Sequence, residues 1–206
     1  MHTPSTQMQE RIKRTRIVVI DDVESEFPHE ILKREGYAID YWPDVVDLTK
    51  LENGYYDIII LDIGGVGAAF DPENQGAGIL KHLKSKNPSQ IVVAYSGQSH
   101  DSERVPFFKH ADDYVPKPAE ALKWKSTIDS LIEERLTISH FWCSLDALLA
   151  EMGVSKKQRR KIELAILNKR SEKDIKQLIS SSLSVVDNSA TVLSISAKLL
   201  GLVSLA

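Results

Sequence analysis

The 206-residue sequence holds a single cysteine, Cys143. One thiol excludes an intrachain disulfide and any cysteine-built metal cluster. Long apolar runs are missing as well. The opening MHTPSTQMQERIKRTR is basic with no apolar segment behind it, so no signal peptide is expected. The most apolar stretch, 182–206, is interrupted by Asp187, Asn188 and Lys198, whereas a membrane span needs about 20 apolar residues with few or no charges. Neither sign of charge dominates. Residues 1–124 carry 14 Lys+Arg against 20 Asp+Glu, residues 125–206 carry 12 against 9, and the whole chain is −3. Such a balance does not by itself call for nucleic acid. Internal repeats and low-complexity linkers are absent too. What is present is ordinary for a globular chain, with 42% hydrophobic and 27% charged residues, enough for one domain of typical size and a smaller appendage. The expectation is a cytoplasmic protein with no membrane segment.

After an N-terminal extension (1–15), residues 16–118 alternate between short β-branched runs and helical stretches. Strands are predicted at 16–21, 38–42, 56–62, 90–96 and within 112–118. Helices are predicted at 25–37, 44–54, 76–87 and 102–111, with Asp44 as a cap and with Gly36 and Gly54 as stops. The runs RIVVID and YDIIILD are continuously apolar, the pattern of strands buried on both faces of a parallel sheet. Five strands alternating with helices predict an α/β fold, a doubly wound five-stranded parallel sheet. Beyond Pro118 the pattern is all-helical. Residues 119–153 read as one long helix, or two joined near Thr137 to His140. Ser155 caps another, Ser171 and Asp174 stand in capping-box spacing for a third, and 189–205 forms a last amphipathic segment.

Open parallel sheets bind ligands at the carboxyl ends of their strands. There the sequence puts Asp21 and Asp22 after the first strand, Asp62 at the end of the third, Ser96 at the end of the fourth, and Lys117 after the fifth. Three carboxylates converging on one edge repel one another unless cations neutralise them. Mg²⁺ (or Mn²⁺) suits all-oxygen ligands. A carboxylate beside a divalent cation and an ammonium is equipped to attack a phosphoryl group, with a hydroxyl to bind one of its oxygens. Asp62 is therefore the candidate nucleophile.

The stretches VVIDD, IIILD, VVAYSG and DDYVPKP, in this order, resemble the flavodoxin-like receiver domain of two-component response regulators over residues 16–124. The resemblance implies that Asp62 is the phosphoacceptor for a histidine kinase or phosphotransfer protein. It implies that Asp21 and Asp22 help hold the metal together with Asp62 and the backbone carbonyl of Gly64. Ser96 becomes the switch hydroxyl, Lys117 the phosphate-sensing lysine and Tyr114 the aromatic that reorients on activation, with a cis Lys117–Pro118 bond. The sequence departs from the family in the long IGGVGAAFDPENQ loop before the matching Gly76. A protein of this kind is no enzyme beyond Mg²⁺-dependent self-phosphorylation from small donors and loss of that phosphoryl group.

Two other chemistries fit less of the sequence. A dinucleotide fingerprint, G-x-G-x-x-G leading into a helix, would put its third glycine at Phe70 and its helix at Asp71-Pro72. A haloacid-dehalogenase type of phosphatase needs an acid two residues after the nucleophile, where this chain has Gly64. The helical unit, taken as 125–206, allows two outputs. Its Leu- and Val-rich end, 183–205, carries more apolar surface than a short terminal helix hides alone. Either the helices pack into a small bundle within the chain or two chains pair through them, and a bundle that mediates a homodimer or a protein effector is expected. Residues 147–167 look like a helix-turn-helix with a basic second helix, which would meet DNA phosphates, although Arg159 and Arg160 stand where an apolar inward residue is needed.

Overall fold

Continuous Val/Ile runs have no polar face to turn to water, so they settle in the interior of a sheet. In a computed structural model of the chain, which describes residues 6–97, 109–182 and 189–205, three such runs form the middle of a five-stranded parallel sheet. β1 is Arg16–Ile20, β2 Ala38–Trp42, β3 Ile58–Asp62, β4 Ile91–Ser96 and β5 Asp113–Pro116. The order is β2-β1-β3-β4-β5, with Ile20 beside Leu61 and Asp62 beside Tyr95. The order reverses between β1 and β3, and a crevice opens at the carboxyl ends of such a pair.

Alternate strand residues face opposite sides. Val18, Ile20, Ile59, Leu61, Val92 and Ala94 share one face with Leu51, Ile79, Leu80 and Leu83. These four come from α3 (Leu48–Glu52) and α4 (Gly76–Lys86). Across the sheet, Tyr95 meets Trp124 at 4.9 Å, and Trp124 meets Phe27 at 4.8 Å. Trp124 belongs to α5 (Ala121–Glu134). The N-terminal extension is not featureless. Thr6–Arg14 forms α1, whose Met8 and Ile12, four residues apart, are buried, and whose Arg11 guanidinium donates to the Ile132 carbonyl of α5.

Two helices begin later than the sequence suggests. Pro28 offers no amide and cannot sit inside a helix. Residues 24–26 therefore make a separate 3-10 turn, and α2 spans only His29–Arg34. α3 is capped by Asp47, which accepts from the Lys50 amide at 3.0 Å. The predicted cap, Asp44, instead accepts from Val45 and, across the fold, from Gly67. The predicted helix at 102–111 lies almost wholly outside the described residues.

Contacts divide the chain into two units, one of residues 1–85 and 90–135, the other of 86–89 and 136–206. The helix after Pro118 is not continuous into the second. Arg135 closes α5, and Thr137, in extended backbone, caps α6 (Ile138–Glu151) by accepting from the His140 amide at 3.2 Å. α7 (Lys156–Leu167) begins with a full capping box between Ser155 and Gln158, and α8 (Glu172–Ser180) begins with Ser171 accepting from Asp174. α9 (Ser189–Leu205) buries Val192, Ile195, Leu199 and Val203, and it packs chiefly on α6. These four residues lie along one helical stripe, so the apolar surface expected to seek a partner is in large part spent inside the unit. Leu183 and Val186 lie outside the described residues. Among the described residues no helix is long and apolar enough to cross a membrane.

Candidate functional site

The carboxyl edge of the sheet gathers the charged residues. Asp21 follows β1 directly and is completely buried, its Oδ1 accepting from the Val23 amide at 2.9 Å. Tyr41 at the end of β2 donates its hydroxyl to the Asp21 carbonyl, which fixes the turn. Asp62 closes β3, almost as deeply buried, and its Oδ1 accepts from the Gly64 amide at 3.1 Å. One carboxylate oxygen from each of Asp21, Asp22 and Asp62 lies within 4.8 Å of the others, Asp22 being the exposed member. Lys117, just past β5, reaches into this group. Its Nζ is 2.7 Å from Asp21 Oδ2 and 2.8 Å from Asp62 Oδ2.

Burial pushes the Asp62 carboxyl above the usual carboxylate range. Lys117 and the Gly64 amide pull it back, and the Asp21 charge adds to the rise. Burial alone would draw the Lys117 ammonium down, but its bonds to Asp21, Asp62 and Glu26 outweigh this and hold it above the usual lysine range. Lys117 therefore stays protonated, and it neutralises part of the acid cluster.

The remaining predicted residues sit beside this centre. Ser96 ends β4, buried, and its carbonyl accepts both the Lys117 amide at 3.0 Å and the Tyr114 hydroxyl at 3.1 Å. The Lys117–Pro118 bond is cis. Gly64 is represented here by its amide, as donor to Asp62. The glycine loop does not cradle an anion with its backbone. Gly65 donates to Gln75 Oε1 at 2.9 Å and Gly67 to the Asp44 carboxylate at 2.5 Å, so both amides are consumed within the chain. The glycines serve close approach instead. A Cβ on Gly65 would lie 2.8 Å from the Asp22 carboxylate, and one on Gly76 only 2.0 Å from the Asp62 carbonyl oxygen. Gly76 is therefore what lets α4 start directly against the acceptor.

Two participants escape the sequence reading. Glu26, on the 3-10 turn, brings Oε2 to 2.9 Å from Lys117 Nζ. The Tyr95 ring lies 4.7 Å from the same ammonium, and burial pushes its hydroxyl up to about 12. An acid in the loop after β1 and an aromatic beside Ser96 are visible signals, but neither tells how far the side chain reaches.

The donor set is all oxygen and partly buried, which suits a hard divalent cation such as Mg²⁺. Asp21, Asp22 and Asp62 meet that demand by residue type and spacing.

No protein-family model matches the chain, and no curated protein matches it. Solved structures similar to it are receiver domains of response regulators. A CheY-like receiver domain protein from Methanospirillum hungatei is 23% identical, covers 59% of this chain and 95% of its own, and has a TM-score of 0.49. The receiver domain of NtrX from Brucella abortus is 23% identical, with 57% and 98% covered and a TM-score of 0.48. TrrA from Thermotoga maritima, solved in complex with Mg²⁺-BeF, is 28% identical, with 57% and 98% covered and a TM-score of 0.47.

Proposed function

We propose that the chain is a phospho-accepting response regulator. Asp62 takes a phosphoryl group from the phosphohistidine of a kinase or phosphotransfer protein in the cytoplasm, and its state governs the helical unit. The observation that carries this reading is the meeting of Asp62, Lys117 and the Asp21–Asp22 pair at the point where the strand order reverses.

A carboxylate oxygen of Asp62 attacks phosphorus. The bond from phosphorus to the donor imidazole nitrogen breaks, and the nitrogen keeps the electron pair. Asp21, Asp22, Asp62 and the Gly64 carbonyl would hold Mg²⁺, which when bound neutralises charge on phosphoryl oxygens. The Lys117 ammonium, already 2.8 Å from Asp62, moves its hydrogen bond to a phosphoryl oxygen as the carboxylate loses its charge. The Ser96 hydroxyl binds a second oxygen. Because the Ser96 carbonyl is shared by Lys117 and Tyr114, a shift of Ser96 passes to the Tyr114 side chain and so to the face beside β5. A hydrolase that turns over phosphate esters needs a proton donor for the leaving group, and the Gly64 position offers no side chain for it.

For the output, a homodimer or a protein effector is favoured over DNA. Exposed Leu164 and Leu167 on α7 remain for a partner. Of the two central arginines of α7, Arg159 pairs with Asp146 at 3.2 Å and Arg160 with Glu163, so both are engaged within the chain. Exposed Lys156, Lys157 and Lys161 are what supports DNA, and salt-sensitive binding to a duplex would establish that alternative.

The decisive experiment is intact mass after incubation with acetyl phosphate and Mg²⁺. A single phosphoryl adduct on the wild type, absent from Asp62→Ala, is expected. An adduct that survives in Asp62→Ala would refute the assignment.

A further inference from the structure

An ammonium has three N–H donors, and Lys117 has three carboxylates around it. Asp21 is at 2.7 Å, Asp62 at 2.8 Å and Glu26 at 2.9 Å. The Asp62 contact is a directed hydrogen bond, and Asp21 and Glu26 hold the same ammonium by ion pairing. When Asp62 carries a phosphoryl group, the ammonium turns from the Asp62 carboxylate to a phosphoryl oxygen, and the charges that still hold it are those of Asp21 and Glu26. The three partners are not equal. The side chains of Asp21 and Asp62 are 0% and 9% exposed, that of Glu26 40%. Leaving a buried carboxylate without a partner costs its full desolvation penalty, whereas water replaces Lys117 at Glu26 at little cost.

The Glu26 turn is also held in place. Its carbonyl accepts the Tyr95 hydroxyl at 2.6 Å, and the Tyr95 ring packs under the Lys117 ammonium. Phe27, the next residue, is buried against Tyr95 and Trp124. The carboxylate is thus kept within reach of Lys117 without being enclosed.

We propose that Glu26 is a built-in competitor for Lys117. It is a positioning residue that holds the ammonium while Asp62 is free and yields it to the phosphoryl group, and so sets how readily Asp62 accepts and keeps phosphate. This rests on the reading of Asp62 as phosphoacceptor. Two effects act in the same direction. Glu26 attracts the ammonium that the phosphoryl group needs, and its negative charge opposes an anionic donor arriving at the same edge.

The test compares wild type with Glu26→Gln, which keeps the shape and removes the charge, and with Glu26→Asp, which keeps the charge on a shorter arm. Phosphorylation by acetyl phosphate is followed by intact mass at saturating Mg²⁺. Beryllofluoride affinity is read from tryptophan fluorescence, since Trp124 lies 4.9 Å from Tyr95. Glu26→Gln is expected to accept phosphate about three- to tenfold faster and to bind beryllofluoride more tightly by a similar factor, the size of one partly exposed ion pair. Glu26→Asp should fall between Gln and wild type. A merely structural role would slow both variants and weaken both readouts. Equal or slower phosphorylation of Glu26→Gln, with wild type still forming its adduct, overturns the competitor role alone. No adduct on any of the three proteins overturns the phosphoacceptor reading and this inference with it.

Discussion

The two units treat charge in opposite ways. In the first, Asp21 and Asp62 are carried into the interior at the strand ends, and Lys117 sits among them with part of its ion pairing supplied by a surface acid. In the second, no charged side chain is fully buried among the described residues. Its buried polar groups include small hydroxyls such as Ser196, which donates to the Val192 carbonyl of its own helix. Its charges lie at caps and in pairs such as Lys176–Glu172. Burying a carboxylate is costly unless it is paired, and perturbed titration gathers where chemistry is done. The contrast supports a division of labour in which the first unit reacts and the second responds by packing and by its surface.

The strongest challenge to that division is a cavity in the second unit. Ile195 is fully buried in α9, and Ile195→Ala is expected to cost about 2–5 kcal/mol, seen as earlier loss of helical signal in urea. The acetyl phosphate adduct should still form. Loss of the adduct would show that the helical unit is needed for the reaction itself.

A smaller effect sharpens the reactive side. A methyl at Gly76 would lie 2.0 Å from the Asp62 carbonyl oxygen, so Gly76→Ala must displace the start of α4 or the acceptor. Phosphorylation should slow by about tenfold, equivalent to roughly 1.4 kcal/mol of barrier. An unchanged rate would mean that α4 yields without moving Asp62.

The smallest effect is the pH dependence of stability. The folded pKa of Asp62 is raised, with burial the leading cause. Its contribution to stability is then complete below the ordinary carboxylate value of 3.8 and is lost as pH rises through the folded value. Asp62→Asn removes that loss while Lys117 keeps Asp21 and Glu26. In Mg²⁺-free urea titrations the variant should unfold at a higher midpoint than wild type, by a margin that grows from pH 4 towards pH 7. A margin that shrinks with rising pH would mean that the Lys117 pair outweighs burial.

Much of this was legible along the chain because it depends on near neighbours. The apolar runs mark the three central strands, and an acid at the end of such a run must lie at the sheet edge, which places Asp21 and Asp62. Ser155 and Ser171 announce their helices because a cap acts over three residues. The break at Thr137 is local as well, although sequence left one helix or two open there. Other features depend on groups far apart. Asp44 looked like a cap, but the amide that claims it belongs to Gly67. The end of the chain looked like an interface, but α6 covers one stripe of α9. Lys117 and Asp62 are 55 positions apart, and nothing in the local pattern at Glu26 says that its carboxylate meets the same ammonium. Strand and cap signals are short-range, so the residue types at the carboxyl edge follow from the chain alone. Which of those charges touch depends on how separate loops cross at the sheet edge, because that crossing sets the distances on which pairing depends.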